Sequence, residues 1–256
     1  MDLGLKGKKA IVTGATRGIG RAIAETFAAE GVDVAICARK PAEVAETVKA
    51  LQAKGVKAYG GVADIGDGEG FKKWIADAAG ELGGIDLLVS NASALSNGNT
   101  DEAWRAAFDI DVLGAVRAAE AAMPYLEKAA AAHGDASITI VSSVSAAETR
   151  TPSSYGAMKA AQIHLAKGLA FEKAPKHVRT NVVSPGTVYF KGGVWGMVEE
   201  HNPKFFASMI KANPTGRMAT PQDIANSVVF LASPASSFTT GANLVVDGAL
   251  TVRVNF

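Results

Sequence analysis

Tyr155 and Lys159, four residues apart, carry the first chemical signal in this 256-residue chain. They stand in Tyr155-Gly156-Ala157-Met158-Lys159, within the first turns of a helix expected after Pro152-Ser153-Ser154. That spacing places phenol and ammonium on one helical face. A phenol ionises near pH 10, and a neighbouring ammonium favours its phenolate form. The pair is therefore a candidate proton donor and acceptor. Tyr-x-x-x-Lys alone is common by chance, but Ser142 and Ser143 stand close by at the end of a strand-like run. A hydroxyl there can hydrogen-bond a substrate carbonyl oxygen beside the phenol.

A second cluster lies near the N-terminus. Thr13-Gly14-Ala15-Thr16-Arg17-Gly18-Ile19-Gly20 runs from an apolar strand straight into a helical pattern. Glycines there permit positive φ and close backbone approach to a pyrophosphate. The helix N-terminus adds free N–H groups and a positive dipole end. The G-x-x-x-G-x-G spacing differs from the G-x-G-x-x-G of ordinary dinucleotide folds. The second strand ends at Cys37-Ala38-Arg39-Lys40. NAD-binding folds usually place a carboxylate there, about 20 residues beyond the glycines. Ala38 and Arg39 fill that slot instead, and a guanidinium grips a 2′-phosphate bidentately. Arg17 would add a second positive charge, so NADP(H) is the expected cofactor.

Positioning these groups requires a sheet. Strand candidates are 10–13, 33–38, 57–62, 87–90, 137–142, 179–183 and 243–246, several of them apolar on both faces. Helical patterns lie near 18–30, 41–54, 68–82, 101–127, 153–173 and 221–232. Thr100 and Pro221 with Asp223 mark two helix starts. Such alternation predicts an α/β fold: a doubly wound, Rossmann-like, seven-stranded parallel sheet with helices on both faces. The whole chain, 1–256, reads as a single dinucleotide-binding catalytic domain. A lid-like insertion at about 189–214, carrying Trp195, Met197, Phe205, Phe206 and Met209, falls outside the alternation. Asp64-Ile65, Asn91-Ala92, Ser142-Ser143 and Pro185-Gly186 all fall at or just past strand ends, at the sheet edge where ligands bind.

These motifs together resemble the short-chain dehydrogenase/reductase family, in its short single-domain branch typified by 3-oxoacyl-carrier-protein reductases. The resemblance spans Gly7 to Gly248. It implies strand order 3-2-1-4-5-6-7 and a homo-oligomer, usually a tetramer or dimer. It makes Tyr155 the general acid/base, Lys159 the group that lowers the phenol's pKa and binds nicotinamide ribose, and Ser143 the substrate-orienting residue. Asp64, followed by Ile65, would meet adenine. Asn91 and Ala92 would brace the strand beside the cofactor, and Pro185, Gly186 and Val188 would meet the nicotinamide amide.

Three departures from the family pattern stand out. The family's serine usually stands thirteen residues before the tyrosine, a count that lands on Ser142, whereas strand register favours Ser143. Ser93 replaces the glycine of Asn-Ala-Gly. Asp111 replaces the asparagine that normally anchors a water beside the lysine in a proton relay. Phe108, Ala107, Gly114 and Ala115 lie at helical contact spacing from Asp111, so its own helix offers no cation. If buried, it must be protonated or paired from elsewhere, with Lys159 the natural partner. Activity with a raised pH optimum would follow.

Composition sets the outer bounds. With 26 basic and 25 acidic residues, the chain has no electrostatic footprint for nucleic acid or an anionic membrane. Cys37 is the sole cysteine, and neither a signal peptide nor a membrane span is legible, so a reducing cytoplasm is expected. His133, His164, His177 and His201 lack ligand spacing, and no catalytic metal is expected. The expected activity is hydride transfer between NADP(H) and a small, partly apolar ketone or secondary alcohol. Glu148 and Arg150 lie in the loop before Tyr155, where the substrate mouth is expected. A non-catalytic NADP(H)-binding sensor or scaffold is the competing reading.

Overall fold

A computed structural model describes residues 2–149 and 151–254. Seven parallel strands form one sheet: β1 Lys9–Thr13, β2 Asp33–Ala38, β3 Ala58–Val62, β4 Leu87–Ser90, β5 Ala136–Val141, β6 Val178–Pro185 and β7 Asn243–Val246. Their spatial order is β3-β2-β1-β4-β5-β6-β7, which reverses direction between β1 and β4. Every carboxyl end reaches the same edge, so Thr13, Ala38, Val62, Ser90, Val141 and Pro185 deliver their loops to one cleft.

Side-chain alternation along the strands builds two cores. Ala10, Val12, Val34 and Ile36 face helices α1 Gly18–Ala29, α2 Pro41–Gln52 and α9 Pro221–Ala232, where Ile23, Phe27, Val44, Ile224 and Val228 are buried. Ile11, Leu88, Ile138 and Ile140 face the opposite layer of α3 Gly68–Leu82, α5 Gly114–His133 and α6 Ser154–Lys173. Ala115, Ala118, Ala119 and Ala122 on α5 are small enough to bring that helix close to the sheet. Each fully buried Phe or Ile contributes about 1.5–3 kcal/mol.

The helix expected over 101–127 is instead three segments: α4 Asp101–Ala107, a π turn Phe108–Leu113, and α5 running on to His133. The 189–214 insertion folds into two short helices, α7 Val194–His201 and α8 Pro203–Ala212. Ser142, expected inside a strand, lies just beyond β5. A buried ion pair, Arg179 Nε to Asp135 Oδ1 at 2.6 Å, lets the guanidinium also donate to the Leu231, Ala232 and Ser233 carbonyls. It thereby caps α9 and ties it to β6.

Cys37 is 1% exposed in the middle of this core. Burial pushes its thiol up to about 12, outweighing the opposing Gly14 backbone N–H. Native protein is therefore expected to resist a thiol reagent at pH 8 and to react fully once denatured. Rapid labelling of the folded chain would show that β2 opens.

Candidate active site

Ser153 starts α6 by accepting a hydrogen bond from the Gly156 N–H at 3.2 Å. That cap sets the helical register of Tyr155 and Lys159. The Lys159 ammonium lies 5.5 Å from the Tyr155 ring centroid and donates to the Val141 carbonyl at 3.1 Å, at the end of β5. Only 2% of Lys159 is exposed.

Asp111 supplies the counter-charge. Its Oδ1 lies 3.0 Å from Lys159 Nζ, and 1% of the residue is exposed. The contact is Coulombic, because Oδ1 has no well-aligned hydrogen bond. Oδ2 accepts the Ala94 N–H at 3.0 Å, and the Asp111 carbonyl accepts from Gln162 Nε2 at 2.6 Å. The pair thus binds the π turn, α6 and the loop after β4 together. The wider π turn carries Asp111 on its buried side, and such turns recur at functional sites.

The two serines separate in role. Ser142 Oγ donates to the Lys159 carbonyl at 2.9 Å and is buried, so its hydroxyl is committed to the start of α6. Ser143 Oγ accepts the Ser145 N–H at 3.1 Å and keeps its own proton free of any protein acceptor among the described residues. Ser145, Glu148, Thr149, Thr151, Ser153 and Tyr155 border a cavity of about 410 Å³ that Trp104 and Asn97 complete. Glu148 therefore reaches this space, whereas Arg150 lies outside the described residues.

The glycine turn is held from β4. Asn91 Nδ2 donates to the Thr13 and Gly14 carbonyls at 3.0 Å each, and Thr13 Oγ1 accepts the N–H groups of Asn91 and Ala92. Gly14 and Gly18 have φ of +64° and +54°, where a side chain would be strained. A Cβ on Gly20 would collide with the Gly14 carbonyl. No side chain caps α1, so its first N–H groups are left for an anion. Thr187 Oγ1, two residues past Pro185, is buried without a partner among the described residues. An uncapped glycine turn of this shape fits a bound dinucleotide.

The remaining residues divide. Asp64 is exposed and its Oδ1 accepts the Gly66 N–H at 2.9 Å, while Ile65 is buried against Gly114, so a ligand contact at Ile65 is through its main chain. Gly186 donates to the Val246 carbonyl, and Val188 pairs with Ala219, just before the 189–214 insertion. Arg39 is exposed with no ion pair among the described residues. Arg17 Nη1 donates to the Gly192 carbonyl at 3.1 Å, within the 189–214 insertion. Thr16 Oγ1 reaches Glu43 instead, at 3.1 Å. Lys40 and Thr16 hold the Glu43 carboxyl below its ordinary value. Glu43 escaped the reading of the sequence, which sought a carboxylate at the strand end and not on the following helix. Among the described residues no cluster of His, Cys, Asp or Glu could hold a metal.

The family model for enoyl-(acyl carrier protein) reductases matches residues 14–251. An isoepoxydon dehydrogenase of Penicillium expansum is 37% identical, with 100% of this chain and 99% of that protein covered. An L-sorbose reductase from Gluconobacter frateurii, solved with NADPH and L-sorbose, superposes with a TM-score of 0.88. It is 30% identical, over 98% of each chain. A 7α-hydroxysteroid dehydrogenase, solved with NADH and 7-oxo glycochenodeoxycholic acid, gives a TM-score of 0.88 at 32% identity. There the match covers 97% of this chain and 96% of that one.

Proposed function

The chain belongs to the short-chain dehydrogenase/reductase family, and from that premise we propose that it is an NADP(H)-dependent carbonyl reductase. The observation that carries the reading is one helix face presenting Tyr155 above a buried Lys159 at the carboxyl end of β5. Its substrate is a small, partly apolar ketone, or the corresponding secondary alcohol.

The bound nicotinamide would supply or take the hydride. Tyr155 gives its phenolic proton to the substrate oxygen during reduction and recovers it during oxidation. Ser143 donates its free proton to the same oxygen, so both hydroxyls meet the negative charge where it develops. Lys159 faces the phenol ring and steadies the phenolate, while Asp111 keeps that ammonium in place. Gly14–Gly20, Asp64, Asn91 and the 185–188 segment would hold the dinucleotide, with Arg39 and Arg17 at the 2′-phosphate. The lid helices α7 and α8 exclude water over the cleft.

We further propose a homo-oligomer. Phe171, Phe238 and Leu244 are exposed large apolar groups that a second copy would cover. No described helix is long and apolar enough to cross a membrane. The near-neutral charge and the single buried cysteine suit the cytoplasm.

NADPH fluorescence titration followed by a ketone panel tests the reading: binding with turnover supports it, and binding without turnover favours a sensor. For cofactor choice, Arg39→Asp is expected to shift affinity towards NADH by about tenfold or more, the scale of a charge-assisted contact reversed in sign. Unchanged discrimination would remove Arg39 from the phosphate pocket.

A further inference from the structure

Three cations belong to the glycine turn and the end of β2 in the chain: Arg17 in the turn, and Arg39 and Lys40 directly after β2. One carboxylate stands among them. Glu43 Oε2 accepts the Thr16 hydroxyl at 3.1 Å, and its Oε1 accepts Lys40 Nζ at 2.7 Å. It is the one carboxylate hydrogen-bonded to the glycine turn among the described residues. An ordinary helix-surface pair of Lys40 and Glu43 would not need the turn. The Thr16 contact, 27 residues away in sequence, makes this carboxylate part of the cofactor mouth.

We propose that Glu43 sets how sharply this chain separates NADP(H) from NAD(H). Its carboxylate holds the Thr16 and Lys40 donors that a 2′-phosphate would otherwise recruit, and it repels that dianion. Towards a bare ribose it is an acceptor for the 2′-hydroxyl, the task that a carboxylate at the end of β2 performs in NAD-binding folds. Arg39 and Glu43 therefore pull in opposite directions. The chain uses both cofactors, with a preference for the phosphorylated one that is smaller than its cations alone would produce. This rests on the cofactor reading above, but not on the assignment of Tyr155 or on any turnover.

The test is equilibrium binding of two fragments to the full chain: adenosine 2′,5′-bisphosphate and adenosine 5′-monophosphate. Titration calorimetry would compare wild type, Glu43→Gln and Arg39→Ala, with melting curves confirming that each variant folds. Glu43→Gln is expected to tighten the bisphosphate by about threefold to fivefold, the size of one half-exposed charge contact, and to weaken the monophosphate. The gain should shrink as salt is raised. An unchanged or reduced ratio between the two fragments in Glu43→Gln overturns the proposal, as does a wild type that binds neither. If Arg39→Ala changes nothing while Glu43→Gln moves the ratio, the Arg39 reading fails and the Glu43 proposal stands.

Discussion

Tyr155→Phe is expected to lower kcat by about 10²–10⁴-fold, the usual contribution of a positioned acid/base, with little change in cofactor affinity. The substitution keeps the ring, and with it the packing against Lys159, whose ammonium lies 5.5 Å from the centroid. What disappears is the hydroxyl that we propose exchanges a proton with the substrate oxygen. Because the phenol is half-buried while the burial around α6 belongs to Ser154, Gly156 and Lys159, the variant should melt close to wild type. Steady-state kinetics with NADPH and the best ketone of a panel checks it. A variant that keeps most of its rate would take the phenol out of the chemistry.

The second large effect is at Asp111. Asp111→Ala strips a buried ammonium of its counter-charge and leaves the Ala94 N–H without its acceptor. Breaking a buried pair from one side costs about 3–5 kcal/mol, a fall in Tm of about 10 °C in a chain of this size. Asp111→Asn separates the charge from the hydrogen bond. Its amide oxygen can still accept from Ala94, so most of the fold should survive. With the carboxylate gone, the full field of Lys159 acts on Tyr155. Lys159 lies over the phenol ring, Asp111 of the π turn pairs with Lys159, and Glu148 lines the same cavity as Tyr155. Only the Asp111 charge is altered. The pH–rate profile of alcohol oxidation is therefore expected to move to lower pH in Asp111→Asn. An unmoved profile would make Asp111 a structural tie between loop and helix and nothing more.

Much of this is legible in the sequence. The strands at 33–38 and 87–90 fall where apolar runs predicted them, because buried parallel strands must be apolar on both faces, and 243–246 lies where it was expected as the strand at the sheet edge. The strand order follows the family resemblance. Asp111 had no cation in its own helix, and Lys159 is indeed its partner. Other features depend on contacts that local patterns do not encode. The π turn at 108–113 keeps helical periodicity nearly intact, so it is silent in sequence. Ser142 and Ser143 are adjacent hydroxyls, and only the hydrogen bond to the Lys159 carbonyl tells them apart. Arg179 reads as an ordinary strand residue until α9 folds over it. Helices α7 and α8 hide behind Gly192-Gly193 and Pro203, which break the pattern into pieces too short to register.

Isotope transfer tests the account at its centre. NADPH carrying deuterium at one face of nicotinamide C4 would be incubated with the protein and a ketone panel, and the alcohols weighed by mass spectrometry. One of the two labelled faces should pass its deuterium to the carbinol carbon in wild type, and the transfer should collapse in Tyr155→Phe. Tight NADPH binding with no deuterium in any product, from either face, would contradict the placing of phenol, ammonium and serine around a reacting carbonyl.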